Sequence, residues 1–526
     1  MDHFKEQLTP TAILSAGLLL FCVWRTIFAQ KSALPNLPII GYDQKQWFAW
    51  PRTLYFAYTN YRVLYQEAYD NYLSKGQPCI MPEPNDTHVV LPSSLSQWLC
   101  DQPDSILSAS DRQNEILQSK YAFPIPKMAE KAHHMAVVKR DLTRRLTGLT
   151  GEIWDELEES FKRYWGEDTE EWKEVNLMET MMRIVTRTSN RVFVGQEACR
   201  NEEYLDLCTS FAQDVPISSI IIRIVPSFLQ PILGHLIALP NRYHQYKIRR
   251  ILAPEIERRR KIEESGDENP PNDFLQWFIT YARNNLEAEE STVTYLAARI
   301  ATLNFAAIHT STFSIVNAIA DVVTSSDGKS LLKMLQEEIE EIMAEDGGEW
   351  NKTSVQRMVK TDSVLRESMR YSTFMTGALQ RAVVAKEGIT TPDGLHIKKG
   401  NWVEVPAWPR HLDSSAYPDA NTFTPLRFVD TSSKENGNGT ASNSKAKAGG
   451  GLSSVDTSPD FLTFSHGRHA CPGRFFAANE LKLALAYVAM YYEVEPQVVE
   501  PKAIAFGSFM APNPKLTVRI RRKAKA

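Results

Sequence analysis

Apolar residues recur at three- and four-residue spacing through most of the chain, the period of helices that bury one face. Residues 152–194 carry two such stretches, rich in Trp, Leu and Met. Residues 50–73 mix aromatic and polar positions at a similar period, and residues 129–149 repeat it around Lys139, Arg140, Arg144 and Arg145. Residues 243–264 read as a basic helix, and 331–345 as an acidic one stopped by Gly347 and Gly348. The longest pattern, 290–323, is apolar nearly all round, as expected of a helix that threads the centre of a protein. Strand-like pieces are short: 89–91, 378–384, 395–397 and 402–405. The pattern predicts a mainly α protein with a small β-sheet region.

Four stretches break the pattern. Residues 105–126 are polar, end at Pro124 and Pro126, and read as a long loop of the kind that often binds ligands. Residues 217–239 are apolar but interrupted by Pro226 and Pro231. They are expected to dip into lipid, to line a substrate entrance, or to pack in the core. Residues 431–459 are low-complexity, and residues 432–451 within them lack any large apolar side chain, so the stretch reads as a disordered insertion. Residues 12–24 are almost continuously apolar, and extension to Ala29 reaches the short end of a membrane helix. A cleaved signal peptide is the rival, but a basic n-region and a good cleavage pattern are missing.

The expected organisation is therefore an N-terminal transmembrane anchor at 1–30, a proline-rich hinge at 31–45, and one large domain at 46–526. Arg25 and Lys31 place that domain on the cytosolic side of a single-pass membrane protein of the endoplasmic reticulum. The 526 residues alone would suggest three domains at about 150 residues each, but no linker divides the middle of the chain. A formal net charge of −4 gives no reason to expect nucleic acid as a partner. Six cysteines, at 22, 79, 100, 199, 208 and 471, show neither zinc spacing nor the density of a disulfide scaffold.

Candidate chemistry concentrates at Phe464-Ser465-His466-Gly467-Arg468-His469-Ala470-Cys471-Pro472-Gly473-Arg474. Gly467 and Gly473 permit a tight turn and a close approach, and the helix formers from Ala477 onward predict a helix just beyond. A cysteine there meets free N–H groups and the positive end of a helix, which favour a thiolate. One axial cysteine with no second cysteine nearby points to haem iron, although an isolated cysteine is more often structural. Upstream, Glu367 and Arg370 share one face of a helix expected at 362–370, and Pro425, Arg427 and Phe428 follow.

These motifs resemble those of the cytochrome P-450 family, and the resemblance covers the chain outside 431–459. It implies that fold, with haem b held by the Cys471 thiolate and flanked by Phe464, Gly467 and Gly473. It implies a buried structural network of Glu367, Arg370 and Arg427. It implies haem propionate contacts from Arg381 and from the position of His469, where the family commonly has arginine, with Arg468 beside it. A helical tryptophan of the family is missing near 129–138, leaving His133 or His134 as substitutes. On the central helix Thr310 matches the hydroxyl that delivers protons, and His309 replaces the usual acid. Pocket walls are implied at 105–126, 305–310, 372–377 and 507–510.

The resemblance further implies a monooxygenase that takes electrons from a membrane-bound NADPH-dependent flavoprotein reductase, with cytochrome b5 as a further candidate donor. Lys139–Arg145 and Arg474 are candidate docking charges. The motifs look most like those of fungal enzymes that oxidise terpenoids or indole alkaloids in secondary metabolism. Two other readings are a haem-thiolate isomerase or dehydratase acting on a peroxide without O2, and a non-catalytic haem-binding protein.

Overall fold

The computed structural model describes residues 34–43, 45–83, 87–123, 125, 131–266, 270–429, 452–496 and 503–524, with Gly17 alone upstream. The expected anchor and most of the expected insertion lie outside them. Among the described residues helices dominate, and the strands form small sheets.

The first long helix, α1 (Ala49–Asn71), kinks at Asn60, where φ is −135°. Strands β1 (Cys79–Met81) and β2 (His88–Val90) follow, then β3 (Leu107–Ser108). Residues 105–126 are not the loop that their polarity suggests: helices Ala109–Ile116 and Ser119–Ala122 occupy them. Ser108 caps the first by accepting from Asp111 N at 3.1 Å, and the buried Arg112 guanidinium lies 4.2 Å from the Trp402 ring. That tertiary cation–π contact supplies the stabilisation that the polar pattern lacks.

A π-helical turn, Val138–Leu142, leads into α2 (Thr143–Tyr164). This one helix joins the stretches read separately at 129–149 and from 152 onward. Leu146, Leu149, Ile153 and Trp154 fall on one buried face, so continuous packing overrides Gly148 and Gly151. A short strand, β4 (Lys173–Asn176), precedes α3 (Leu177–Val194), and then α4 (Glu202–Ile224) contains Pro216. The chain breaks at Pro226 and resumes as α5 (Gln230–Ile237) and α6 (Leu239–Ser265). Ile222 is buried, but Ile217, Ile221, Ile224, Phe228, Ile232 and Leu236 are all more than a third exposed. Core packing therefore accounts for only the inner face of 217–239.

Helix α7 (Phe274–Asn285) packs against α3, and α8 (Val293–Thr324) runs through the centre of the largest core cluster. Fully burying each Leu, Ile, Val or Phe there contributes about 1.5–3 kcal/mol. Both α4 and α8 are long and apolar enough to cross a membrane, but at least half of each is buried within this fold. Helices α9 (Gly328–Glu345) and α10 (Val359–Tyr371) pack beside it.

Strands β5 (Gly377–Val383) and β6 (Trp402–Pro406) complete a five-stranded sheet of order β1-β2-β6-β5-β3. β2 and β6 run parallel, and the other pairs are antiparallel. Residues 452–459, expected within the disordered insertion, are a correction: Ser454 is fully buried and its hydroxyl donates to Asp362 at 2.6 Å. The small polar residues that resemble a linker are there because they cap buried charges. Helix α11 (Arg474–Tyr491) then crosses behind α8 and leads into β7 (Tyr492–Pro496), and the chain closes with β8 (Ala503–Phe506), β9 (Phe509–Pro512) and β10 (Thr517–Arg522).

Candidate active site

The cysteine loop is closed by its own backbone. Cys471 N donates to Phe464 O at 2.8 Å, and α11 begins three residues after the sulfur. Gly467 adopts φ +70°, and a Cβ there would sit 3.1 Å from Cys100 Cβ. A side chain would be strained and would push the loop off helix Ser96–Asp101. Burial raises the Cys471 thiol, while the Gly473 N–H, the Arg474 charge and the Arg474 N–H pull it back. Burial wins, so the helix N-terminus does not by itself favour the thiolate, contrary to the expectation from sequence. A bound metal cation would reverse that balance.

Arg381 sits where β5 is irregular. The register against β6 shifts between Ala378 and Arg381, and Leu379 takes a left-handed φ of 54°. The Arg381 side chain is buried, and its Nη1 donates to Gln380 O at 2.8 Å. Nη2 has no hydrogen-bond partner among the described residues. A buried guanidinium with an idle N–H is costly unless an anion meets it. The residues present thus fit a haem, whose propionates would supply that anion and whose iron would meet Cys471.

His469 is already engaged: its Nε2 lies 2.8 Å from Asp104 Oδ1, and Arg468 Nη2 donates to the Gln102 carbonyl. Burial and then Arg381 lower the imidazole, and Asp104 only partly restores it. His134 is held by the fully buried Arg299, with Nη1 3.0 Å from Nδ1; burial, then Arg299, pushes it down to about 3. His133 lies 3.6 Å from Glu290. His134 is therefore fastened to α8, whereas His133 Nε2 lies near the turn before it without a hydrogen-bond partner among the described residues.

The central helix opens on one stripe only. Ala306 and Thr310 are exposed within an otherwise largely buried stretch. Thr310 Oγ1 donates to Ala306 O at 2.9 Å, the local bond common for a helical threonine, which leaves its lone pairs free. Burial alone lowers His309 to about 4, so its imidazole is neutral at pH 7. Phe123 meets Phe305 edge-on with centroids 5.6 Å apart, and Phe313 meets Phe374 at 6.3 Å. Met510 N donates to Phe374 O at 2.9 Å. These contacts join the expected wall segments in two pairs, 105–126 with 305–310 and 372–377 with 507–510, and Phe313, which meets His309 at 5.9 Å, links the pairs from just beyond the second segment.

Behind this region Glu367 and Arg370 are both fully buried. Arg370 donates twice to Glu367, at 2.8 and 2.7 Å, and Arg427 Nε donates to the same carboxylate at 3.0 Å. The remaining Arg370 N–H groups reach the carbonyls of His411, Ala420 and Thr422. Sequence reasoning missed two supports. Arg366 lies 3.8 Å from the Phe461 ring centroid and donates to the carbonyls of Ser453 and Asp456. His411 Nε2 accepts from Leu462 N at 2.9 Å. Arg366 sits one residue before Glu367 on the same buried helix, a signal that was available; His411 carried none.

A family model described as Cytochrome P450 matches residues 99–520. The chain is 33% identical over 485 residues to cytochrome P450 monooxygenase pbrC of Penicillium brasilianum, covering 90% of this chain and 88% of that protein. It is 32% identical over 508 residues to cytochrome P450 monooxygenase astC of Aspergillus terreus, covering 94% and 93%. In fold it is similar to the retinoic acid bound cyanobacterial CYP120A1, with TM-score 0.65 and 16% identity, covering 93% of this chain and 100% of that one. The chain belongs to the cytochrome P450 family, as a monooxygenase that binds haem b through an axial cysteine thiolate.

Proposed function

We propose that Cys471 is the axial ligand, that Arg381 with His469 and Arg468 anchors the propionates, and that the enzyme oxidises an apolar small molecule of fungal secondary metabolism. A terpenoid or an indole-alkaloid-type intermediate is the proposed substrate class. The observation that carries this reading is the idle, buried N–H of Arg381 on the strand beside the cysteine loop. When bound, haem with a thiolate ligand supplies O2 activation and O–O cleavage. This chain supplies the rest. Phe123, Phe305, Phe313 and Phe374 offer an apolar wall that excludes water and favours an apolar substrate. Thr310 Oγ1, with its lone pairs turned to the open stripe, holds the proton donor site, and the neutral His309 imidazole can relay a proton without carrying charge.

Thr310→Ala tests the proton role. It is expected to raise peroxide release per NADPH consumed by at least about tenfold, or ~1.4 kcal/mol of lost selectivity, while the reduced carbon-monoxide spectrum stays unchanged. An unchanged peroxide yield would end that role for Thr310.

Electrons are proposed to come from an NADPH-dependent flavoprotein reductase, with cytochrome b5 as a further candidate donor, docking at Lys139–Arg145 and Arg474. The enzyme is proposed to be a single-pass protein of the endoplasmic reticulum, with its domain facing the cytosol. The exposed apolar residues of 217–239, together with Trp47 and Phe48, support contact of the domain itself with lipid. An environment-sensitive dye on Ile232→Cys is expected to shift to the blue when the full chain enters nanodiscs. The same dye on Lys261→Cys, farther along α6, is expected not to. Equal behaviour at the two positions would remove the lipid contact.

A further inference from the structure

The irregularity of β5 beside Arg381 has a single residue opposite it. Ala378 pairs with Val405 of β6 and Arg381 pairs with Val403, so Leu379 and Gln380 together face Glu404. Two residues against one form a β-bulge, and the extra residue decides to which face the rest of the strand turns its side chains. Neighbouring strand residues point to opposite faces. The Gln380 amide is turned to Glu404, which leaves Arg381 to the other face.

Glu404 is 1% exposed, and three elements meet its carboxylate. Tyr65 OH of α1 donates to Oε1 at 2.8 Å, Gln380 Nε2 donates to Oε2 at 2.7 Å, and His88 Nε2 of β2 lies 3.1 Å from Oε1. A Cβ on Gly377 would collide with the same carboxylate, so the first residue of β5 leaves it room. Burial alone would raise this carboxyl, but His88, Tyr65 and Gln380 outweigh burial and hold it below the usual carboxylate range. An apolar residue would fill this place in the sheet without the desolvation cost of an acid, so the acid is better explained by what its hydrogen bonds hold.

Gln380 is gripped on one side and grips on the other. Its amide is fixed to Glu404, and its carbonyl accepts from Arg381 Nη1 at 2.8 Å. Holding the side chain limits rotation of the Gln380 peptide, and the oxygen of that peptide fixes Nη1 while Nη2 stays idle. We propose that Glu404 is a positioning residue for the cofactor: through Gln380 it pins the bulge of β5 and so aims the Arg381 guanidinium at a propionate. This rests on the role proposed above for Arg381.

The test measures haem loss from the full-length holoenzyme to excess apomyoglobin at pH 7, with the reduced carbon-monoxide band as a check that Cys471 still binds. Arg381→Ala is expected to speed the loss at least about tenfold, the scale of a hydrogen bond to a charged group. Glu404→Ala and Gln380→Met should each speed it about fivefold, the scale of one neutral hydrogen bond. Glu404→Gln keeps an oxygen for the Gln380 amide and should stay within about twofold of wild type. Should Glu404→Ala fail to fold, Gln380→Met asks the same question from the other end of the bond. In the double variant Gln380→Met/Arg381→Ala the loss should match Arg381→Ala alone, because Gln380 acts through Arg381; a merely structural role would add its full effect. Additive effects, wild-type haem loss in Gln380→Met, or Glu404→Gln as leaky as Glu404→Ala would each overturn the clamp and leave the reading of Arg381 standing. Unchanged loss in Arg381→Ala would remove that reading, and the clamp with it.

Discussion

Cys471→Ala is expected to abolish the red-shifted carbon-monoxide band of the reduced protein and to lower turnover by at least about a hundredfold, or ~2.7 kcal/mol of barrier. The effect is large because no other described cysteine can take over. Cys79, Cys199 and Cys208 are buried, and burial pushes each of their thiols up to about 12. Cys100 is the nearest alternative, since its sulfur would lie 3.3 Å from a Cβ added at Gly467. It lacks the N–H groups of Gly473 and Arg474 that partly offset burial at Cys471. Cys100→Ala should therefore keep the band, which makes it the control. A band that survives in Cys471→Ala and vanishes in Cys100→Ala would move the ligand to the wrong side of the loop.

The second large effect is expected at Glu367. Glu367→Ala would leave Arg370 fully buried with no counterion and would strip Arg427 of the same carboxylate. Removing one member of a buried ionic group costs about 3–5 kcal/mol, because the partner charge stays behind uncompensated. Domains are typically stable by only about 5–15 kcal/mol, so most of the protein should be recovered without haem. Arg427→Ala should cost less, because its guanidinium is partly exposed and its loss leaves the Glu367–Arg370 pair intact. Urea midpoints and haem content measure both variants. Equal midpoints for wild type and Glu367→Ala would show that the network adds nothing to stability.

Much of the site was legible because its signals are local. The Phe464–Arg474 string announces a tight loop before a helix, and Glu367 with Arg370 is a helical i,i+3 pair; a few residues carry both patterns. What sequence misjudged depended on distant partners. The helix Ala109–Ile116 reads as loop until Trp402 stacks on Arg112, and residues 452–459 read as linker until Asp362 and Arg366 bind them. Glu480 looks like an ordinary helical glutamate beside Lys482, and only the tertiary fold buries it and brings the Ser189 hydroxyl to its carboxyl.

The sequence by itself determined the helical class, the central helix, the cysteine loop and the order of Glu367, Arg370 and Arg427, because periodicity and short motifs are properties of neighbouring residues. Only the tertiary structure decided that burial outweighs the helix N-terminus at Cys471, that Arg381 keeps an idle N–H, that His469 leans on Asp104, and that His309 is neutral. Those outcomes are set by desolvation and by partners from other elements, and neither exists until the chain has folded.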